Sequence, residues 1–89
     1  MTRENQYHNH GRISEERYHA HFGNEHGFRV KKRDYRHRRF EYGGYNWTFV
    51  EAWPFGWNYN DNLYVDYDDG GYWLYNSNRD GARISINIL

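Results

Sequence analysis

Leu63-Tyr64-Val65-Asp66-Tyr67-Asp68-Asp69-Gly70-Gly71-Tyr72-Trp73-Leu74-Tyr75 reads as two strands joined by a tight turn. Side chains alternate with a period of two on both sides of Asp69-Gly70. Asp-Gly suits a two-residue hairpin turn, because both of its positions need a positive φ. Pairing through that turn sets Tyr67 opposite Tyr72 and Val65 opposite Leu74 on the core face. Tyr64 then faces Tyr75, and Asp66 faces Trp73, on the outer side. Upstream, Gly43-Gly44 carries the same message. A two-residue turn there sets Tyr42 opposite Tyr45 and Phe40 opposite Trp47, so Phe40, Tyr42, Tyr45, Trp47 and Phe49 share one face. Arg39, Glu41, Asn46 and Thr48 share the other face, and a slip of one residue would destroy that division.

Beyond these hairpins, Ala82, Ile84, Ile86 and Ile88 alternate with Arg83, Ser85 and Asn87 in a last strand, after a turn over residues 76–81. Ala52-Trp53-Pro54-Phe55-Gly56-Trp57 holds the chain's one proline and is excluded from a central strand. It reads as an aromatic corner whose rings pack on the sheet. Residues 27–33 alternate weakly, through Phe28 and Val30, and read as a strand or extended arm. Ser14 has the chemistry of a helix N-cap, with Glu15 and Glu16 where the helix dipole favours anions. Ile13 and Tyr18 fit a hydrophobic staple, and Gly23 fits a stop. A short helix over 15–22 follows, too short to stand without docking. Residues 1–12 are polar and aperiodic and read as a flexible segment ahead of a single domain over 13–89. The expected fold is α+β: a small antiparallel meander sheet of aromatic-rich hairpins, with one short N-terminal helix.

The 89 residues lie near the lower limit for a domain that folds unaided, and no cysteine supplies a disulfide or a thiolate metal site. Aliphatic residues are scarce, so ten Tyr, four Trp and five Phe must supply most of the apolar burial. The zero net charge hides a split. Residues 1–39 carry ten Lys/Arg against five Asp/Glu, about +5, together with all six histidines; residues 40–89 carry two against seven, about −5. Such asymmetry suits either contact between the halves, head-to-tail self-association, or an arm for an acidic partner. No apolar run approaches the ~18 residues that span a membrane, and there is no signal-peptide core. The compartment is therefore secreted or periplasmic if a leader has been removed, and otherwise cytoplasmic.

Four kinds of chemistry are worth weighing. Tyr64, Trp73 and Tyr75 fall on the outer sheet face and form a flat platform for a protein partner, a glycan or another copy of the chain. The basic run 31–39, with Lys31, Lys32 and Arg33 at its start and Tyr35 interleaved, suits a partner surface or, less well, nucleic-acid phosphates. Its plainer role is to discourage edge-to-edge aggregation. His8 and His10 point the same way in an extended segment, and His21 and His26 flank a turn. These four are the candidate ligands for Ni, Co, Cu or Zn, whereas His19 and His21, two apart on a helix, diverge. Asp61, Asp66, Asp68 and Asp69 lie close in sequence but match no calcium-loop spacing, and turn and face positions account for them. Ser14, Ser77 and Ser85 are likewise explained by cap, turn and strand. No nucleophile stands out, and the expectation is a protein that is not an enzyme.

Four stretches carry a resemblance: GRISEERYHAHFGNEHGFRV, RRFEYGGYNWTFVEAWPFGW, NLYVDYDDGGYWLYN and GARISINIL. Together they resemble a family of small, uncharacterised bacterial exported proteins, which implies export. The segment from Pro54 to Ile88 is also similar to RcnB-like periplasmic nickel/cobalt-homeostasis proteins, through Pro54, Gly56-Trp57, Tyr64-Val65, Gly70 and the Ile-rich end. That second resemblance implies a periplasmic metal-handling role. The leading expectation is a non-enzymatic exported binding or self-assembly module that uses the Tyr/Trp face and the charge split, with a homo-oligomer among its forms. In its most specific form, the basic segment 29–39 of one copy meets the acidic 61–69 region of another.

Overall fold

A computed structural model of the chain describes residues 13–89, and its five strands form one antiparallel sheet. The first hairpin is β1 (Arg39–Tyr42) and β2 (Tyr45–Phe49), paired as Phe40 with Trp47 and Tyr42 with Tyr45. The second is β3 (Leu63–Asp68) and β4 (Gly71–Asn76), paired as Val65 with Leu74 and Tyr67 with Tyr72. Both registers are those expected from the turns. The turn residues Gly43 and Gly44 have φ of 63° and 86°, and Asp69 and Gly70 have 51° and 76°. Two successive positive φ values match the right-handed twist of the flanking strands, and Asp is among the few side chains that tolerate them.

The α+β class and the aromatic-rich antiparallel hairpins are as read from the sequence, but the strand order is not that of a plain meander. β5 (Arg83–Ile88) lies between the two hairpins, giving the order β1-β2-β5-β4-β3. It pairs Ile86 with Phe49 on one side and with Tyr72 on the other. The reason is chemical. Ile84 and Ile86 of β5 are buried between the aromatic faces of the two hairpins, while the proline-bearing segment after β2 leaves the sheet and delivers the chain to its far edge.

The inner face buries Phe40, Trp47, Phe49, Leu63, Val65, Tyr72, Leu74, Ile84 and Ile86. Trp47 is its centre. It is fully buried, meets Tyr72 edge-on at 5.3 Å and Phe22 at 5.9 Å, and donates its Nε1–H to the Tyr42 carbonyl at 3.0 Å. Over this face lies the N-terminal part of the domain. α1 (Glu15–His21) starts at Ser14, whose Oγ accepts the Arg17 N–H. No residue within α1 is buried; the flanking Ile13 and Phe22 anchor it. After α1, the Gly23 N–H bonds the Val65 carbonyl, and Phe28 exchanges both backbone hydrogen bonds with Leu63. The Phe28 ring meanwhile stacks on Tyr42 at 3.9 Å. One short segment therefore touches β3 and β1, the two ends of the strand order, and the sheet curls around the rings between them.

Residues 27–33 are not a strand. Phe28 forms an isolated bridge, and the basic run enters a second helix, α2 (Lys32–Arg36). The Asp34 carboxylate accepts the Lys31 N–H at 3.2 Å, and Tyr35 docks edge-on against Phe49 at 5.3 Å. Tertiary docking of one ring, with a local cap, outweighs the weak alternation. The aromatic corner also departs from its reading in one residue: Trp53 and Trp57 pack inward, but Phe55 is fully exposed.

Candidate functional site

The register of β3, β4 and β5 places Tyr64, Tyr75 and Arg83 side by side on the outer face, with Trp73 one pair along. Tyr64 and Tyr75 stack almost parallel, with ring centres 5.0 Å apart. The Arg83 guanidinium lies over Trp73, 3.7 Å from the ring centre, and its Nη1 donates to the Tyr75 hydroxyl at 3.0 Å. The same group reaches across the turn to Asp68 at 3.0 Å and Asp69 at 3.1 Å. These acceptors hold the guanidinium pKa above its already high value, Tyr75 first, so the charge is permanent. The Trp73 Nε1–H completes the arrangement by donating to the Asp68 carbonyl at 2.8 Å.

Tyr64, Trp73 and Tyr75 therefore do come together, half-buried and oriented, but not as the bare platform the sequence suggested. Each ring already has a neighbour on it. Arg83 is the member that sequence reasoning missed. Its outward position was legible from the alternation of the last strand, but its role as a hub depends on β5 lying next to β4.

Beside the Tyr pair a groove of about 370 Å³ opens toward the loop over 77–82, and its lining includes Asn24, Tyr64, Tyr75, Ser77, Arg79 and Asp80. The stacked tyrosines contribute its aromatic side. Arg79 is tied back to Asp61 at 3.3 Å, and Asp61 also accepts the Asn58 N–H at 2.9 Å and the Asn76 amide at 2.9 Å. Those contacts, Asn58 first, hold the Asp61 carboxyl below the usual carboxylate range. Burial, with Tyr75 and Asp80 adding to it, raises the Tyr64 hydroxyl pKa, so the phenol stays neutral.

Lys31, Lys32 and Arg33 lie elsewhere. They sit on and before α2, at the β1 edge, while Tyr64, Trp73 and Tyr75 belong to the β3 end of the sheet. All three are exposed, and none forms an ion pair among the described residues. The acidic region is in the opposite condition, since Asp61, Asp68 and Asp69 are already paired with Arg79 and Arg83. A head-to-tail contact between copies would have to compete with these pairs.

Of the candidate metal ligands, His8 and His10 lie outside the described residues, as does the flexible segment read over 1–12. The Tyr42 hydroxyl draws the backbones of His21 and His26 together, bonding the His21 carbonyl at 2.7 Å and the His26 carbonyl at 3.2 Å. The His21 ring packs edge-on against Tyr42. Among the described residues no three His, Cys, Asp or Glu side chains converge on a point where an ion would sit. No described helix is long and apolar enough to cross a membrane.

Compared with protein-family models, curated proteins and solved structures, the chain finds no match in any of the three.

Proposed function

We propose that the chain is a non-enzymatic binding module, exported as its resemblance implies, which holds a saccharide in the groove beside Tyr64 and Tyr75. The observation that carries this reading is the pairing of an aromatic side with a polar rim in about 370 Å³, a size suited to a small-molecule site. Sugar rings present C–H faces, which pack on aromatic surfaces, and hydroxyls, which need fixed donors and acceptors. Asn24, Ser77, Arg79 and Asp80 supply amide, hydroxyl, guanidinium and carboxylate groups around one aromatic side. Arg79 is oriented by Asp61 before any ligand arrives, which lowers the cost of ordering on binding.

The test is calorimetric titration with a panel of soluble oligosaccharides. A saturable heat that falls at least tenfold in affinity in Asp80→Ala and in Tyr64→Ala, with the Asp80→Ala melting temperature unchanged, supports the reading. Absence of saturable binding across the panel, or binding indifferent to both variants, overturns it.

A further inference from the structure

The corner between β2 and β3 carries a second surface, independent of the groove. Trp53 and Trp57 meet edge-on at 5.5 Å, the Trp53 Nε1–H bonds the Trp57 carbonyl at 3.1 Å, and the Trp57 N–H bonds the Pro54 carbonyl at 3.2 Å. These contacts form a stiff pedestal. Phe55 stands on top of it, fully exposed, with no ring or other side chain against it among the described residues. The foot of the pedestal is shared with α2. The Trp53 N–H donates to the Tyr35 hydroxyl at 2.9 Å, and the Trp53 ring lies 5.6 Å from Tyr35 and stacks on Tyr59 at 4.4 Å.

The cations reach this corner through α2, whose Tyr35 holds Trp53. Lys32, Arg33 and Arg36 share one face of α2 by helical spacing, and Arg29, Lys31 and Arg39 flank it. All six are exposed and none has an ion-pair partner among the described residues. Arg36 is close enough to Tyr59 that its charge offsets part of the pKa rise that burial and Tyr35 impose on that hydroxyl. Phe55 is two residues from Trp53, which bounds their Cα separation at about 7 Å. Glu51, the acidic residue nearest the apex in sequence, is turned to the sheet and accepts the Ser85 N–H at 2.7 Å.

We infer that this end of the molecule docks on an anionic lipid surface, with Phe55 inserted among the acyl chains and the α2 cations on the headgroup phosphates. A rigid apolar apex above a cationic collar matches the two layers of such an interface, and each cation near an anionic membrane adds about 1 kcal/mol. Charge complementarity sets the occupant: the six cations outnumber the two acids beside them, Asp34, whose carboxylate accepts the Lys31 N–H, and Glu41, which lines the same cleft as Arg39. A single-stranded nucleic acid fits less well, because it needs several accessible ring faces along a basic track. Tyr35, the ring within the basic run, has its faces and edge occupied by Phe49, Trp53 and the Arg38 guanidinium.

The experiment is co-sedimentation of the purified chain with phosphatidylcholine vesicles, with and without phosphatidylglycerol, at low and high salt. Binding is expected only to the anionic vesicles, and it weakens as salt rises. Phe55→Ser is expected to lose about 10- to 100-fold in partition, the loss of one buried aromatic side chain. Its melting temperature should not change, since the ring touches nothing. Lys32→Gln combined with Arg36→Gln is expected to lose roughly 5-fold for each charge removed. In Phe55→Trp, the added indole should shift its emission to the blue on anionic vesicles. No binding, equal binding to neutral vesicles, or binding insensitive to Phe55→Ser overturns the inference. So does Phe55-dependent binding of a single-stranded oligonucleotide without vesicle binding.

Discussion

The two hairpins close through turns of the same geometry, yet one is roofed and the other stands open. At the β1–β2 turn a methyl group placed on Gly43 would lie 3.0 Å from the Phe22 ring and 3.3 Å from the His21 Cβ, because α1 rests on it. The Arg17 guanidinium adds a hydrogen bond to the Gly43 carbonyl at 3.3 Å. At the β3–β4 turn a methyl on Gly70 would meet nothing within 4 Å. That hairpin is held on its outer face instead, by the Arg83 clasp on Tyr75, Asp68 and Asp69. Similar local sequence thus serves two ends: the first turn is part of the core's lid, and the second leaves an oriented aromatic surface in solvent.

The sharpest way to break the comparison is to remove a ring from each hairpin. Trp47→Ala should cost about 3–5 kcal/mol in urea denaturation, because it empties the fully buried centre of the core. Trp73→Ala, on the outer face of the second hairpin, should cost much less in the same assay. Next in size is the pair of turn substitutions. Gly43→Ala carries the left-handed backbone penalty of about 1–2 kcal/mol together with a clash against Phe22, whereas Gly70→Ala carries the backbone term alone. Similar losses for the two would mean that α1 gives way easily and the roof is loose.

A smaller effect tests the clasp. Arg83→Gln should lower the melting temperature less than Gly43→Ala does, and the difference from wild type should shrink as salt rises. The smallest effect concerns Asp61, whose carboxyl pKa is lowered in the folded state by Asn58, Asn76 and Arg79. A lowered folded pKa means that its stabilisation is complete above the ordinary carboxylate range and is lost as the pH falls through the lowered value. Melting curves across the acid range should therefore fall more steeply for wild type than for Asp61→Asn.

Much of this was legible in the chain. Both hairpin registers follow from two-residue turns, since the turn fixes the pairing and alternation then assigns every side chain to a face. The N-cap at Ser14 was equally local. What stayed hidden depends on partners distant in sequence. α2 holds only one ring in five residues and exists because Tyr35 finds Phe49 and Trp53. The central place of β5 depends on Trp47 meeting Ile88, a pairing that no turn announces. In the groove, the tyrosines were readable from their outward positions. Asn24 was not, because it is brought there by the segment after α1 that bonds to β3.

The position of β5 has a consequence for how the molecule is made. A chain emerging N-terminus first from a ribosome presents both hairpins before the strand that joins them. Until residues 83–88 are released, β2 and β4 each keep an unpaired edge, and the aromatic rings of the two halves have no shared sheet to lie on. Closure of the sheet therefore waits for residues 83–88, however early the two hairpins form.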